Sequence, residues 1–273
     1  MLIIYDFTPR ITIFTDNITT LESLLIYAMK TILYQSDYLG NGFEFATINQ
    51  PDDYEGKVVA TVIRKQCSMP SNKAVLYVHG FNDYFFQSDM AHRFNEKEYH
   101  FYAIDLRKYG RSTLPHHKSN NMRSLTEYFA DLDEALEIIR QEGNEQVLLS
   151  GHSTGGLLVT LYASERVGNE KFDTIFCNSP FYDMNMPGYQ KRLLVPLVAL
   201  FGKYFPDVLL PGKISEWYGH SLHGEKKGEW DYNLVWKPHL VPALNAGWIS
   251  AIHQGHTKIK KGIILTRPIL VMH

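Results

Sequence analysis

The sequence predicts an α/β protein whose mostly parallel sheet is covered by helices on both faces. Apolar runs of strand length alternate with helical segments through residues 58–178, and this alternation is typical of such a sheet. It stops after residue 179, and buried-strand composition returns at Pro268–Met272. In Val147–Ala163 an apolar strand, a glycine-rich turn and a buried helix follow one another, which indicates one complete strand–turn–helix unit.

Each predicted element supports this class. Phe43–Asn49 and Val58–Lys65 are predicted strands, joined by the turn-rich residues 51–56, and they open the sheet as an antiparallel pair. Short apolar runs predict the other core strands, at Ala74–Val78, Phe101–Ile104, Val147–Ser150 and Thr174–Asn178. The predicted helices of this region are Ser88–Asn95, Leu125–Arg140 (with a capping box at Ser124 and Glu127) and the helix that follows the glycine-rich turn.

Four segments are predicted along the chain. Residues 1–36 form an N-terminal extension, whose apolar stripe at helical spacing favours packing on the core over docking on a partner or a membrane surface. Residues 37–179 form the core. Residues 180–262, which contain the apolar helical run Leu193–Phe201, are predicted to be a cap inserted over the sheet. Residues 263–273 return to the sheet as a seventh strand.

Composition excludes several classes of function. The net charge of −2 comes from both signs scattered along the chain, so no basic footprint for nucleic acid is present. No apolar stretch reaches the roughly 18 residues that a membrane span requires. The first residues do not resemble a secretory signal, so a cytoplasmic location is expected. Cys67 and Cys177 form neither a disulfide framework nor a metal-binding spacing.

The glycine-rich turn carries the clearest chemical signal. Gly151–Gly155 has the pattern Gly-x-Ser-x-Gly between a strand and a helix, which predicts a nucleophile elbow with Ser153 as the nucleophile. In such an elbow the backbone N–H after the nucleophile, here that of Thr154, stabilises the oxyanion. A second donor comes from the loop after an earlier strand, where the N–H of Phe81 is the candidate.

Three motifs in this order resemble the α/β-hydrolase superfamily: His79-Gly80, Asp105–Arg107 with Gly110 and Ser112, and Gly151–Gly156. The motifs and the insertion are most similar to the branch of monoacylglycerol lipases, lysophospholipases and serine aminopeptidase-like hydrolases. The resemblance implies an eight-stranded sheet, a cap after strand six, a Ser–His–acid triad, an acyl ester as the small-molecule substrate and no cofactor. It also implies that His79 and Gly80 support the oxyanion loop.

The triad is where the sequence departs from this family. The family's acid follows strand seven and its histidine follows strand eight, whereas this sequence ends at His273, directly after the predicted seventh strand. The expectation is therefore a C-terminally truncated chain that lacks the last strand and has weak activity. Asp183 is an alternative acid. The insertion contains five clustered histidines: His220, His223, His239, His253 and His256. They lack the spacing of a metal site, so no metal site is predicted.

These observations lead to three functional hypotheses. The first is a serine hydrolase of carboxylic esters, similar to lysophospholipases or monoacylglycerol lipases, that forms an acyl-enzyme on Ser153. The second is a non-catalytic relative that binds a small apolar ligand in the same pocket. The third is a serine peptidase of the same fold, since esters and amides are cleaved by the same constellation of groups.

Overall fold

A computed structural model describes residues 32–211 and 216–273 of the protein. Most of the predicted N-terminal extension, residues 1–31, lies outside these described residues, together with most of its apolar stripe. Across the two described ranges, no helix combines the length and the apolar character that crossing a membrane would need.

The described residues form one mixed sheet of eight strands in the order β1-β2-β3-β5-β4-β6-β7-β8. Strands β4 to β8 run parallel to one another, and β3 pairs antiparallel with β5. The predicted alternation and the predicted antiparallel pair, β2 with β3, are therefore confirmed. The strands are β1 Gln35–Ser36, β2 Glu44–Asp53, β3 Gly56–Lys65, β4 Lys73–Val78, β5 His100–Asp105, β6 Gln146–His152, β7 Thr174–Asn178 and β8 Ile269–Met272.

Two details of the sheet differ from the prediction. The two-residue strand β1 was not predicted, because it is too short to show a periodicity of its own. The turn between β2 and β3 is also shorter than residues 51–56, since β2 extends to Asp53 and β3 begins at Gly56. A bulge between Gln50 and Asp53 accommodates Pro51, which has no N–H to donate to the ladder.

Helices cover both faces of the sheet. On one face, α1 (Ser88–Asn95) packs through Ala91 on a cluster that contains Val75 and Phe101. On the other face, the Tyr102 hydroxyl donates to Glu142, just beyond α2 (Phe129–Gln141). Ser124 and Glu127 form the predicted capping box in the 3₁₀ turn that leads into α2. Helix α3 (Thr154–Glu165) is buried along almost all of its length, as its apolar sequence predicts.

The described part of residues 180–262 contains the π-helical turn Gln190–Leu194 and the helices α4 (Val195–Tyr204), α5 (Trp217–Leu222) and α6 (Ala246–Lys260). Helix α6 lies on the core, because a Cβ at Gly255 would be 2.7 Å from Leu125 Cδ1 and 3.0 Å from Leu161 Cδ1. Helix α4 packs in turn on the first residue of α6, where Gly202 meets the backbone of Ala246. The division of the chain into core and cap stays a prediction.

Candidate active site

Ser153 lies at the sharp turn between β6 and α3, where the Gly-x-Ser-x-Gly pattern predicts it. Its backbone has φ 53° and ψ −119°, a conformation that L-residues rarely adopt because Cβ crowds the backbone. Two hydrogen bonds hold this turn: the Ser153 N–H donates to Asn178 O (3.1 Å), and the Phe181 N–H donates to Ser153 O (2.9 Å). The strained conformation is thus held by the last residue of the neighbouring strand, β7, and by the loop that follows it.

The turn is tight because strand β6 and helix α3 touch. A Cβ at Gly151 would be 2.5 Å from the backbone oxygen of Gly155 and 2.8 Å from the backbone nitrogen of Gly156. Strands β4 and β7 hydrogen-bond to β6 on either side, so Gly151 cannot move away from the helix. Only a residue without a side chain fits at this position.

The loop after β4 lies directly against the turn, because β4 and β6 are parallel neighbours. A Cβ placed on Gly80 would be 3.1 Å from Ser153 Cβ. Phe81 follows Gly80, and its ring packs on Trp248 at the start of α6, with 4.9 Å between the ring centroids. Thr154 is the first residue of α3, where backbone N–H groups have no partner within the helix. The structure therefore brings Ser153, Phe81 and Thr154 to one place; their catalytic and oxyanion-binding roles stay predictions.

His79 is a buried structural residue of the oxyanion loop. Its Nε2 accepts the Leu106 N–H (3.1 Å), so the ring proton lies on Nδ1, which donates to Gly80 O (2.8 Å). Both ring nitrogens are occupied by the backbone. His79 therefore joins the loop after β4 to the loop after β5 and cannot also take a proton from Ser153.

None of the hydrogen bonds formed within residues 32–211 and 216–273 reaches the Ser153 hydroxyl. Burial lowers the pKa of His152, next in the chain, and that of His256. The His256 Nε2–H donates to Phe181 O at 2.7 Å, so this ring supports the loop that holds Ser153. Both histidines are neutral near pH 7, and neither ring accepts a hydrogen bond from the Ser153 hydroxyl, as a catalytic base would.

Asp183, the alternative acid, has a different set of partners. Its carboxylate is exposed and forms ion pairs with Lys191 (2.6 Å) and Lys260 (3.2 Å). Hydrogen bonds from these ammonium groups lower the pKa of Asp183 to about 2. Asp183 and His256 line the same cavity without a hydrogen bond between them. The structure therefore does not pair Asp183 with a histidine as a triad acid.

Sequence reasoning missed several residues around the turn. Phe181 and Trp248 carry no motif, and they reach the turn through the folding of the insertion. Lys237 forms a buried ion pair with Asp83 (2.7 Å), two residues after Phe81. All four side chains of Asp83–Phe86 are buried, and Phe85 belongs to the core cluster of the sheet. Lys237 gave no local signal, because its partner lies far away along the chain.

The strand order, the crossovers and the elbow define the fold of the α/β-hydrolase superfamily. The family model described as serine aminopeptidase, S33, matches residues 69–273, and the chain belongs to this family of serine hydrolases. No curated protein sequence matches the chain at a significant level.

Solved structures similar to this fold include lipases and esterases. One is a soluble variant of monoglyceride lipase from Saccharomyces cerevisiae in complex with a substrate analog (17% identity, TM-score 0.59, covering 89% of this chain and 76% of that one). Another is the monoacylglycerol lipase of Paleococcus ferrophilus (19%, TM-score 0.56, covering 77% and 76%). A third is a thermostable carboxyl esterase from Bacillus coagulans in complex with glycerol (15%, TM-score 0.58, covering 82% and 78%).

Proposed function

We propose that the protein is a serine hydrolase of carboxylic esters, of the lysophospholipase or monoacylglycerol lipase type, and that Ser153 is its nucleophile. The observation that carries the proposal is the backbone of Ser153, whose φ of 53° at the β6–α3 turn matches a nucleophile elbow. A strained conformation of this kind persists only where the surrounding structure holds it, and such residues cluster at active sites.

In the proposed reaction, Ser153 Oγ attacks the carbonyl carbon of the ester, its hydroxyl proton passes to solvent water, and the carbonyl oxygen becomes an oxyanion. The N–H groups of Phe81 and Thr154 donate to this oxygen as its charge develops. Collapse of the intermediate breaks the bond to the leaving alkoxide, which takes up a proton and departs as an alcohol. Water then attacks the acyl-enzyme, which releases the acid and restores Ser153.

The surroundings of the turn support an apolar acyl ester as the substrate. Trp248 of α6 packs on Phe81, and α4 packs on the first residue of α6. Helix α4 exposes large apolar side chains, among them Leu197, Leu200 and Tyr204. An exposed apolar helix that packs on α6, the helix whose Trp248 contacts Phe81, suits a substrate with a poorly hydrated acyl chain. The similar structures described as monoglyceride lipases and a carboxyl esterase favour the same class.

The turnover of the 273-residue chain should be slow. No described group accepts a hydrogen bond from the Ser153 hydroxyl, so its proton has no positioned base during attack. In serine hydrolases, the loss of the histidine base costs about 10⁶-fold in turnover, while the oxyanion hole retains residual catalysis. The same observation keeps open the second candidate function, a protein that binds a small apolar ligand without turning it over.

The test is hydrolysis of a short-chain activated ester by the whole chain and by two alanine variants. Ser153→Ala should abolish the activity. Ser164→Ala is the matched control: this serine lies in α3, its hydroxyl donates to Leu161 O, and the variant should retain wild-type turnover. Turnover that survives Ser153→Ala would contradict the proposal, and binding of the ester without any turnover by the wild type would favour the ligand-binding function.

A further inference from the structure

Three histidines of the insertion, separated along the chain, come together near α5. His239 lies against His220 and His223, with ring centroids 5.0 and 5.3 Å away. Glu225 belongs to the same group, since one potential ligand atom each from His223, Glu225 and His239 lie within 4.8 Å of one another. We propose that His223, Glu225 and His239 bind a divalent transition metal of the zinc class.

His223 has the hydrogen bonding of a metal ligand. Its Nδ1 accepts the backbone N–H of Glu225 (3.1 Å), so its Nε2 carries the proton and donates to Tyr232 O (3.1 Å). Metal-binding histidines usually donate their second ring N–H to a carbonyl or carboxylate in this way, which fixes the ring. The Nδ1 lone pair points at the Glu225 N–H, so a metal bound there would displace this N–H, which water can then accept because Glu225 is exposed.

His239 is the strongest indication of a missing partner. Both of its ring nitrogens are buried, and neither has a hydrogen-bond partner. Leaving buried polar atoms unpaired destabilises a fold, so such atoms call for a function. The ring cannot turn away freely, because the backbone of α5 packs on it: a Cβ at Gly219 would be 3.1 Å from His239 Nδ1.

The donor set selects the metal. Imidazole nitrogens with one carboxylate suit Zn²⁺ and its neighbours, whereas Mg²⁺ and Ca²⁺ prefer oxygen ligands alone. Zinc ligands at about 2.0–2.2 Å lie roughly 3.4 Å from one another in a tetrahedral site. Atoms that are up to 4.8 Å apart must therefore approach by up to about 1.4 Å more. Glu225 can supply much of this movement, because its side chain is exposed.

The site would stabilise the insertion where it meets the active-site loop. Between His223 and His239, Tyr232 packs on Phe86 with ring centroids 4.9 Å apart, and Lys237 pairs with Asp83. A metal that links α5 to His239 closes the segment containing both contacts. The role is structural, and Ser153 is not among the proposed ligands.

The experiment titrates the whole chain, free of any histidine tag, with Zn²⁺ by calorimetry, and with Co²⁺ by visible absorption. We expect one Zn²⁺ per chain, a higher unfolding temperature with Zn²⁺, and a Co²⁺ spectrum of low coordination number. His239→Ala should weaken Zn²⁺ binding by about 100-fold or more. Glu225→Gln, a substitution of an exposed side chain, should weaken Zn²⁺ binding by about 10-fold. The control is the double variant His116→Ala/His117→Ala. It removes a pair of histidines whose rings also contact each other but which lies outside the proposed site, and it should bind Zn²⁺ with wild-type affinity.

Two results would overturn the proposal. One is the lack of any one-to-one binding at about 0.1 mM Zn²⁺, far above the apparent dissociation constants of built structural sites. The other is wild-type affinity in both His239→Ala and Glu225→Gln. If His239→Ala fails to fold, Glu225→Gln decides alone, because this exposed side chain has no packing role that its removal would disturb.

Discussion

Substituting Gly151 by alanine should destabilise the protein and distort the nucleophile turn together. The new Cβ would be 2.5 Å from Gly155 O, 2.6 Å from Gly155 C and 2.8 Å from Gly156 N. Carbon–oxygen contacts need about 3.3 Å, so the strand and helix must separate by roughly 0.8 Å. All three atoms belong to the backbone, and β4 and β7 hold β6 in place, so no flexible side chain can absorb the change.

Overpacking of this kind costs typically about 1–3 kcal/mol, and the backbone contacts put Gly151→Ala near the upper end. A loss of ~3 kcal/mol lowers the unfolding temperature of a domain of this size by about 6–12 °C. The same displacement moves Thr154 relative to Phe81. Loss of one oxyanion donor lowers turnover by about 10²–10³-fold, so the activity should also fall steeply.

The assay is thermal unfolding followed by calorimetry, with ester turnover measured on the same preparations. Gly188→Ala is the matched control, because a Cβ at this exposed glycine has no atom within 4 Å. Its unfolding temperature should remain within about 1–2 °C of the wild type. An unfolding temperature of Gly151→Ala equal to that of Gly188→Ala would refute the packing argument for the elbow.

Two further predictions concern charged groups. Arg107→Met should lower the free energy of unfolding by about 3–5 kcal/mol in urea titrations, because the buried Asp131 carboxylate loses its partner at 2.6 Å. The double variant Arg107→Met/Asp131→Leu should recover much of this loss, because it leaves no unpaired buried charge. A double variant as unstable as Arg107→Met would contradict this account. Asp183→Asn should cost at most about 1 kcal/mol at pH 7, since its ion pairs with lysines are exposed to solvent. Because the folded-state pKa of Asp183, about 2, lies below the ordinary value of 3.8, this contribution is present above pH 4 and is lost as the pH falls towards 2. A difference between wild type and Asp183→Asn that grows on acidification would show that the sign is wrong.

The sequence predicted the core of the fold because its strands and helices carry local signals. The apolar run at 174–178 and the helix at Ser88–Asn95 were predicted with the bounds that the structure has. The elbow was also predictable, since its motif specifies a backbone conformation that Ser153 adopts. Strand β1 was missed because two residues show no periodicity.

Contacts between distant parts of the chain could not be predicted in the same way. These contacts form only when the insertion folds: Lys237 then pairs with Asp83, and His239 lies against His220 and His223. The spacing of these histidines in the sequence matches no metal-binding pattern. The position of Asp183 after β7 suggests a triad acid, but the sequence does not show that its carboxylate forms ion pairs with Lys191 and Lys260.

The most direct test of the central claim is the mass of the protein after reaction with a small alkyl fluorophosphonate, followed by peptide mapping. The phosphorus electrophile takes the place of the ester carbonyl, and attack by Ser153 Oγ expels fluoride to leave a stable adduct. We expect a single adduct, formed slowly, on the peptide that contains Ser153. It should be present in Ser164→Ala and missing in Ser153→Ala. An adduct on another residue, or equal labelling of Ser153→Ala and the wild type, would contradict the assignment of Ser153 as the nucleophile.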